Sequence, residues 1–279
     1  MKLTTKIIFG IILSIFVISL LFIIGFSFSD RKNYYRTHNS SNVINIPQNS
    51  PIGIDVAPAR VILLEMERTD TQDEIFYRFT SDNNSINLSP MTAEEENKLF
   101  ISEALYGYVA AKTNNDTLRI QIKVDELRKK YEATDFKNYV AFSGFNLNLQ
   151  TSNANVVNTL NGFLTKVSNI ETDTIRIVSN SNILIESCKA IVIEPVVDDS
   201  HRKVNVRNSV AKEIHLDLDG LRNWNLEGCN IEVQNFTGSG RHNITLDRNK
   251  AGKINWYPKN ENAELNIKVQ GDTAQIVFQ

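Results

Sequence analysis

The chain predicts an all-β protein with one N-terminal transmembrane helix, a β-rich N-terminal region and a C-terminal region coiled as a parallel β-helix or closely related solenoid. Three observations carry this. From Val43 onward apolar residues alternate with a period of two, between Ile183 and Phe278 paired apolar residues return about every twenty residues, and residues 7–28 contain no charged side chain. A two-sheet β-sandwich is the alternative arrangement for the same strands.

The first element is "IIFGIILSIFVISLLFIIGFSF", which as a helix rises about 33 Å, enough to cross the hydrocarbon core of a membrane. Lys2 and Lys6 precede it while Arg31, Lys32 and Arg36 follow, so the flanking positive charge is close to a tie. A short basic tail before a long apolar run is how signal anchors and signal peptides begin. Either one sends the bulk of the chain across the membrane, so a periplasmic or extracellular C-terminal domain is expected. Ser27-Phe28-Ser29 has the small-x-small form of a cleavage site, but the apolar run is longer than a usual signal core, which favours an uncleaved anchor. No cysteine follows the run closely enough for a lipoprotein anchor. Residues 1–29 are therefore read as anchor or signal, and 30–42 as a polar spacer.

Residues 43–142 form the β-rich N-terminal region. "VINI", "GIDV", "ARVILLEM", "EIFYRF" and "SINLSP" are short runs of β-branched and aromatic residues closed by Pro, Gly, Asn or Asp, and each predicts a strand. "ALYGYVAAKTNNDTLRIQIKV" predicts two strands joined at Asn114-Asn115-Asp116, residues that tolerate a left-handed backbone. Two segments break the pattern. "TAEEENKLF" has Thr92 and Glu95 at capping-box spacing and predicts a helix of about two turns. "VDELRKKYEA" (124–133) is charged enough to read as a surface excursion.

Residues 143–279 carry the recurrence. One set of inward pairs falls at Ile183/Ile185, Val204/Val206, Trp224/Leu226, Ile244/Leu246 and Ile267/Val269. A second falls at Ile191/Ile193, Ile214/Leu216, Ile231/Val233, Ile254/Trp256 and Ile276/Phe278. Fainter copies occur upstream at Leu147/Leu149, Thr165/Val167 and Ile175/Ile177. A unit of this size cannot bury its own apolar face, but stacked neighbours bury it jointly. Cys188, Ser209, Cys229 and Asn249 recur at intervals of 21, 20 and 20, as small or polar residues do at a tight corner. Two turns at about 4.8 Å each place Cys188 and Cys229 beyond the reach of a disulfide, so both are expected free.

The pattern resembles the GIN-type putative adhesin head domain, a family of anchored or secreted β proteins of Bacteroidetes. The resemblance rests on the apolar N-terminal segment, the β-rich stretch leading into "TNNDTLRIQIKV", and "FTGSGRHNITLD", whose Gly238-Ser239-Gly240 is similar to that family's glycine-serine turns. It spans residues 43–279, with an inserted "DDSHRK" and a single such turn. It implies a right-handed β-helical fold and an adhesive surface role, with no catalytic residue set.

Charge and motif content narrow the function. Thirty basic residues against 32 acidic ones leave no electrostatic footprint for nucleic acid. No GxSxG, P-loop or helix-opening GxGxxG is present, so hydrolase, nucleotide and dinucleotide chemistry lack their mechanical parts. "IHLDLDG" places His215, Asp217 and Asp219 on one face of a strand, and stacking is expected to set Glu194 and Gln234 on the turns either side of Asp217. Glu194, Asp217 and Asp219 are thus the catalytic candidates, because neighbouring carboxylates gather calcium or an acid/base pair in β-helix polysaccharide enzymes. His215 and the outward Tyr257 are the binding candidates, while Trp224 and Trp256 point inward. "DDSHR" (198–202) and the Arg241-His242 pair lack a recognised metal spacing. "DTL" at 116, "DTI" at 173 and "DTA" at 272 resemble short Bacteroidetes O-glycosylation sites. The expected function is a membrane-anchored binding or structural protein without catalytic activity, metal or cofactor. Its partners are the membrane, through residues 7–28, and a glycan or cell-envelope component. The alternative is a carbohydrate-active β-helix enzyme, a polysaccharide lyase or hydrolase.

Overall fold

The computed structural model describes residues 43–68, 75–80, 83–91, 97–131, 139–151, 154–197, 202–221, 223–247 and 252–270. The apolar segment 7–28, the spacer and Ile276/Phe278 lie outside these. Among the described residues no helix is long and apolar enough to cross a membrane. The described chain is all-β apart from a single turn of 3-10 helix and the α-helix Val124–Lys130.

The early apolar runs become β1 (Val43–Asn45), β2 (Pro51–Asp55), β3 (Val61–Glu67), β4 (Phe76–Phe79) and β5 (Ser85–Ser89). The capping-box segment at Thr92 and Glu95 lies outside the described residues, and its last residues, Lys98–Phe100, belong to strand β6 (Lys98–Ser102), whose Leu99 and Ile101 alternate into the core. β7 (Val109–Asn114) and β8 (Thr117–Lys123) pair antiparallel across Asn115-Asp116, and Asn115 takes the left-handed backbone expected of it, with φ 51°. The helix Val124–Lys130 is not a surface excursion. It buries Val124 and Leu127 and sinks Asp125, which accepts a 2.6 Å hydrogen bond from the Tyr77 hydroxyl. Burial, then that hydrogen bond, pushes the Tyr77 hydroxyl up to about 12.

β9 (Tyr139–Ser143) lies between β1 and β4 in a three-stranded sheet, and from β10 (Asn146–Gln150) as far as Gly238 successive strands go alternately to two larger sheets. β11 (Val156–Asn158), β13 (Glu171–Val178), β15 (Lys189–Val196), β17 (Val210–Asp217), β19 (Asn230–Gly238) and β21 (Lys253–Pro258) join the nine-stranded sheet that also holds β3, β8 and β7. β12 (Leu164–Ser168), β14 (Ile183–Glu186), β16 (Lys203–Arg207) and β18 (Asn223–Glu227) join the eight-stranded sheet that holds β5, β10, β6 and β2. From β13 to β19 each strand pairs parallel with the strand two before it, with Ile183 opposite Val204, Val204 opposite Trp224, and Ile193 opposite Ile214. β20 (Arg241–Asp247) and β22 (Glu264–Gln270) pair as a separate parallel ribbon with Ile244 opposite Ile267. Residues Ile44–Gln279 form one compact unit.

The corners repeat one device. Asn169, Ser187, Asn208 and Gly228 hold positive φ values of 57°, 54°, 48° and 63°, and each is followed by an inward residue: Ile170, Cys188, Ser209 and Cys229. Cys188 Sγ lies 3.4 Å from the Glu186 carbonyl, Ser209 Oγ donates to the Arg207 carbonyl at 2.8 Å, and Cys229 Sγ lies 3.4 Å from the Glu227 carbonyl. Three turns thus close in the same way, on the carbonyl two residues back. Neither cysteine forms a disulfide.

One expected row is corrected. In the nine-stranded sheet the inward positions of a strand are not spaced by two throughout: Ala211, Ile214 and Leu216 are buried, as are Ile231, Gln234 and Phe236. β3 and β8 alternate strictly, but the pairing of β13, β15, β17 and β19 breaks once, at Asp173, Ile191, Lys212 and Glu232, and across that bend the inward spacing is three. Continuing a strict alternation from Ile231 therefore selects Val233, whereas the core position opposite Ile214 is Gln234. Likewise Ile193 is buried but Ile191, two before it, is half exposed.

Around the first turns the core is aromatic. Phe79, Phe142, Phe145 and Phe163 form a cluster with ring centroids 4.8 to 6.0 Å apart, mostly edge to face.

Candidate functional site

The alternation along β17 carries His215 and Asp217 outward together, and Asp219 follows just beyond the strand. All three are half-buried. The expected ladder with Glu194 does not form. With Ile193 opposite Ile214, Glu194 falls in the row of His215 rather than that of Asp217, and it pairs with Arg176 at 3.5 Å. Gln234 is buried opposite Ile214, and Asp217 faces Thr237. The bend in the strands shifts these rows by the one residue that a strict alternation leaves out.

Asp217 and Asp219 meet basic side chains instead. Lys259 Nζ donates to Asp217 Oδ1 and Oδ2 at 2.7 and 2.6 Å and to Asp219 Oδ2 at 2.9 Å. Asp219 Oδ1 accepts the Ser239 N–H at 2.8 Å and lies 3.0 Å from His242 Nε2. The His242 ring stands edge-on to Trp256, at 6.2 Å between centroids, and overlies Gly238, where a Cβ would fall 2.5 Å from Nε2. The glycine of "TGSGRH" therefore admits the histidine to the carboxylate. Burial pushes the Asp219 carboxyl up, but the Ser239 N–H and the Lys259 ammonium outweigh it and hold it well below the usual carboxylate range. Burial alone would lower the Lys259 ammonium, yet its bonds to Asp217 and Asp219 raise it. Lys259 escaped the sequence reading although its signal was present: 219, 239 and 259 are one column at the twenty-residue step.

The remaining candidates lie apart from this clasp. His215 Nε2 is 3.1 Å from Glu213 Oε2, which also accepts from Asn235 Nδ2 at 3.0 Å, and the His215 contact holds Glu213 below its ordinary value. Tyr257 is exposed, as expected of an outward position. Trp224 and Trp256 are half-buried against the core, Trp224 lying 5.5 Å from Phe236. Arg241 pairs with Glu264 at 2.7 Å, and Asp198, Asp199 and His201 lie outside the described residues. Among the described residues no group of three or more His, Cys, Asp or Glu side chains is placed to hold a metal ion.

The clasp joins β17 to the turns after β19 and β21, so it is expected to stabilise the C-terminal strands. Asp219→Ala should cost about 1–2 kcal/mol at neutral pH, since three donors lose a charged acceptor at a partly exposed site. The folded pKa of Asp219 is depressed, so its contribution is complete above the ordinary carboxylate value of about 4 and drains away as pH falls below that. Denaturant unfolding of wild type and variant should show a gap at pH 7 that narrows below pH 4; a gap independent of pH would contradict the assignment.

A second feature had no sequence signal. A groove of about 620 Å³ opens where the first residues of β10, β5, β12 and β14 stand side by side: Asn146, Ser85, Leu164 and, just before β14, Asn182. Asn45, Ile46 and Gln48 form the facing wall, and Asn83 and the Ser143-Gly144 turn close one end. Among the described residues no ionisable side chain lines it. Its floor is fixed by buried Asn84, which donates to the carbonyls of Thr80 and Phe142 and accepts the Phe145 N–H at 2.9 Å. Gly144, with φ 91°, lets the wall approach: a Cβ there would lie 2.7 Å from the Ile46 carbonyl oxygen.

No family model matches the chain, and no curated protein matches it. Among solved structures it is similar to a "putative adhesin" from Bacteroides fragilis, with a TM-score of 0.47 and 13% identity over 81% of this chain and 96% of that one. It is similar to a "putative lipid binding protein" from Parabacteroides distasonis, with a TM-score of 0.46 and 10% identity over 82% and 98%. A "putative adhesin" from Parabacteroides merdae follows at 0.37 and 13%, over 83% and 98%.

Proposed function

We propose that this chain is a membrane-anchored, extracytoplasmic binding protein of adhesin type that performs no chemistry of its own. Residues 7–28 hold it in the membrane, and the strands beyond coil as a two-sheet solenoid that presents its faces to a glycan or another component of the cell envelope. One observation supports the non-catalytic part: each acidic candidate is already engaged by a base. Glu194 meets Arg176, Asp217 meets Lys259, and Asp219 meets Lys259 and His242. A carbohydrate-active enzyme needs one carboxyl with a raised pKa beside a second that stays ionised. Here Asp219 is held low and Glu194 and Asp217 occupy different rows, so these candidates do not form the pair that the enzyme reading requires.

Two measurements on the full chain test the proposal. A reporter enzyme active only in the cytoplasm, fused after Gln279, should be silent in cells; strong activity would overturn the extracytoplasmic placement. Purified protein incubated with a panel of polysaccharides should release no oligosaccharide, and release that disappears in Asp217→Asn would establish the enzyme instead.

A further inference from the structure

We propose that the groove at the starts of β10, β5, β12 and β14 binds an uncharged, hydroxyl-rich chain, a neutral glycan, an assignment that rests on the reading of this protein as a binding module. The described residues that line the groove carry no charged side chain. Elsewhere the outward rows of both sheets are laced with ion pairs across neighbouring strands, such as Arg119–Glu65, Arg176–Glu194, Lys189–Glu171 and Arg207–Glu227. On β10 and β5 the outward positions are instead Asn146, Asn148 and Gln150 beside Ser85, Asn87 and Ser89. A polar strip thus runs from the groove along two adjacent strands, bordered by Lys166, which lies opposite Asn87 and pairs with Glu186, and by Lys98, which lies opposite Gln150 and pairs with Asp55.

These side chains are held in place without being used up. Asn146 Nδ2 donates to Gln48 Oε1 at 2.8 Å and its Oδ1 accepts from Ser85 Oγ at 3.0 Å, while Asn87 Nδ2 donates to Asn148 Oδ1 at 2.7 Å. A primary amide has two N–H donors and two acceptor lone pairs, so each keeps capacity for a ligand after its internal bonds are made. Asn45 and Asn83, both lining the groove, make no side-chain hydrogen bond within the described residues, and both are exposed.

Groups that both donate and accept, fixed and uncharged, match sugar hydroxyls, which also do both. Anionic or cationic ligands would be desolvated here with no opposite charge to meet them. An extended peptide is less well served, because it binds through main-chain hydrogen bonds to an open strand edge, whereas the strip lies on the faces of β10 and β5, each paired on both sides. Adjacent strands lie about 4.8 Å apart, close to the spacing of successive rings in an extended glycan, so one ring could address each strand start. The volume falls within the range of small-ligand sites. Half-buried Leu164 supplies an apolar patch against which the C–H face of a ring can rest.

The experiment uses the full chain in a detergent with no sugar headgroup and ligand-observed NMR. The probes are neutral hexasaccharides of glucose, mannose and N-acetylglucosamine, with hexagalacturonate and an uncharged decapeptide as contrasts. At least one neutral hexasaccharide should show saturation transfer and hexagalacturonate none. Asn45→Ala and Asn83→Ala, which remove no internal bond and should leave the melting temperature unchanged, should each weaken binding about three- to tenfold. Absence of transfer to every neutral hexasaccharide, undiminished binding by both variants, or binding of the decapeptide alone would overturn the assignment. Chromatography of the same samples separates the two readings. A hexasaccharide that binds and is cleaved leaves the groove standing and removes the non-catalytic reading, whereas no binding and no cleavage removes only the groove.

Discussion

Phe145→Ala should destabilise the protein by about 3–5 kcal/mol, the range for deleting a fully buried phenylalanine from a packed core. Phe145 is wholly buried and lies 5.2 Å from Phe79, 6.0 Å from Phe142 and 6.0 Å from Phe163, ring centre to ring centre. Its removal leaves three aromatic rings facing a void that none can fill, because Phe79 lies in β4, Phe142 in β9 and Phe163 beside the turn at Gly162. Phe145→Leu keeps much of the volume and should cost roughly half as much. Since the Phe145 N–H is the donor that Asn84 accepts, the alanine variant should also loosen the groove floor. Chemical denaturation of the full chain reads the loss; a cost below about 1 kcal/mol would mean that the cluster is not a packed unit.

Gly162→Ala is expected to cost about 3–5 kcal/mol, more than any other single methyl added to a glycine among the described residues. Gly162 holds φ 91°, and a Cβ there would lie 2.1 Å from the Phe79 carbonyl oxygen and 2.7 Å from its carbon. Both atoms are backbone, so no side-chain rotation relieves the clash. The Gly162 N–H is meanwhile fixed by a 2.7 Å bond to buried Ser181 Oγ, which opposes a shift of the turn. Gly107→Ala separates the two contributions. Gly107 has a similar φ of 85° with open space where a methyl would go, so it should show only the conformational part, about 1–2 kcal/mol. Equal losses in the two variants, read by chemical denaturation, would show that the close approach to Phe79 contributes nothing.

Local patterns were legible wherever the physics is local. Side chains of an extended strand must alternate, so Ile183/Ile185, Val204/Val206 and Ile214/Leu216 could be assigned inward from the sequence alone, and all six are buried. The Asn115-Asp116 turn and the small corner residues Cys188, Ser209 and Cys229 were equally readable, because only a few residue types suit a sharp reversal. The step of about twenty residues recurs in the registers, with Val210 opposite Lys189 and Asn230 opposite Val210.

What joins one turn to another was decided by the tertiary structure. A bend that makes the inward spacing three rather than two leaves no mark on composition, yet it moves Glu194 out of the row of Asp217 and puts Gln234 in the core. Lys259 reaches Asp217 across forty-two residues, and its partnership depends on two intervening registers adding correctly. The groove is further still from the sequence: Asn45, Asn83, Asn146 and Asn182 belong to segments that are distant along the chain and meet only because parallel strands start side by side. Alternation is a property of each strand, whereas register is set by bends and loop lengths between strands. The sequence alone therefore determined the inward residues where alternation runs unbroken, as at Ile183/Ile185, Val204/Val206 and Ile214/Leu216, but not at Ile191, Val233 or the exposed Ile267, and only the folded chain determined which outward residues meet.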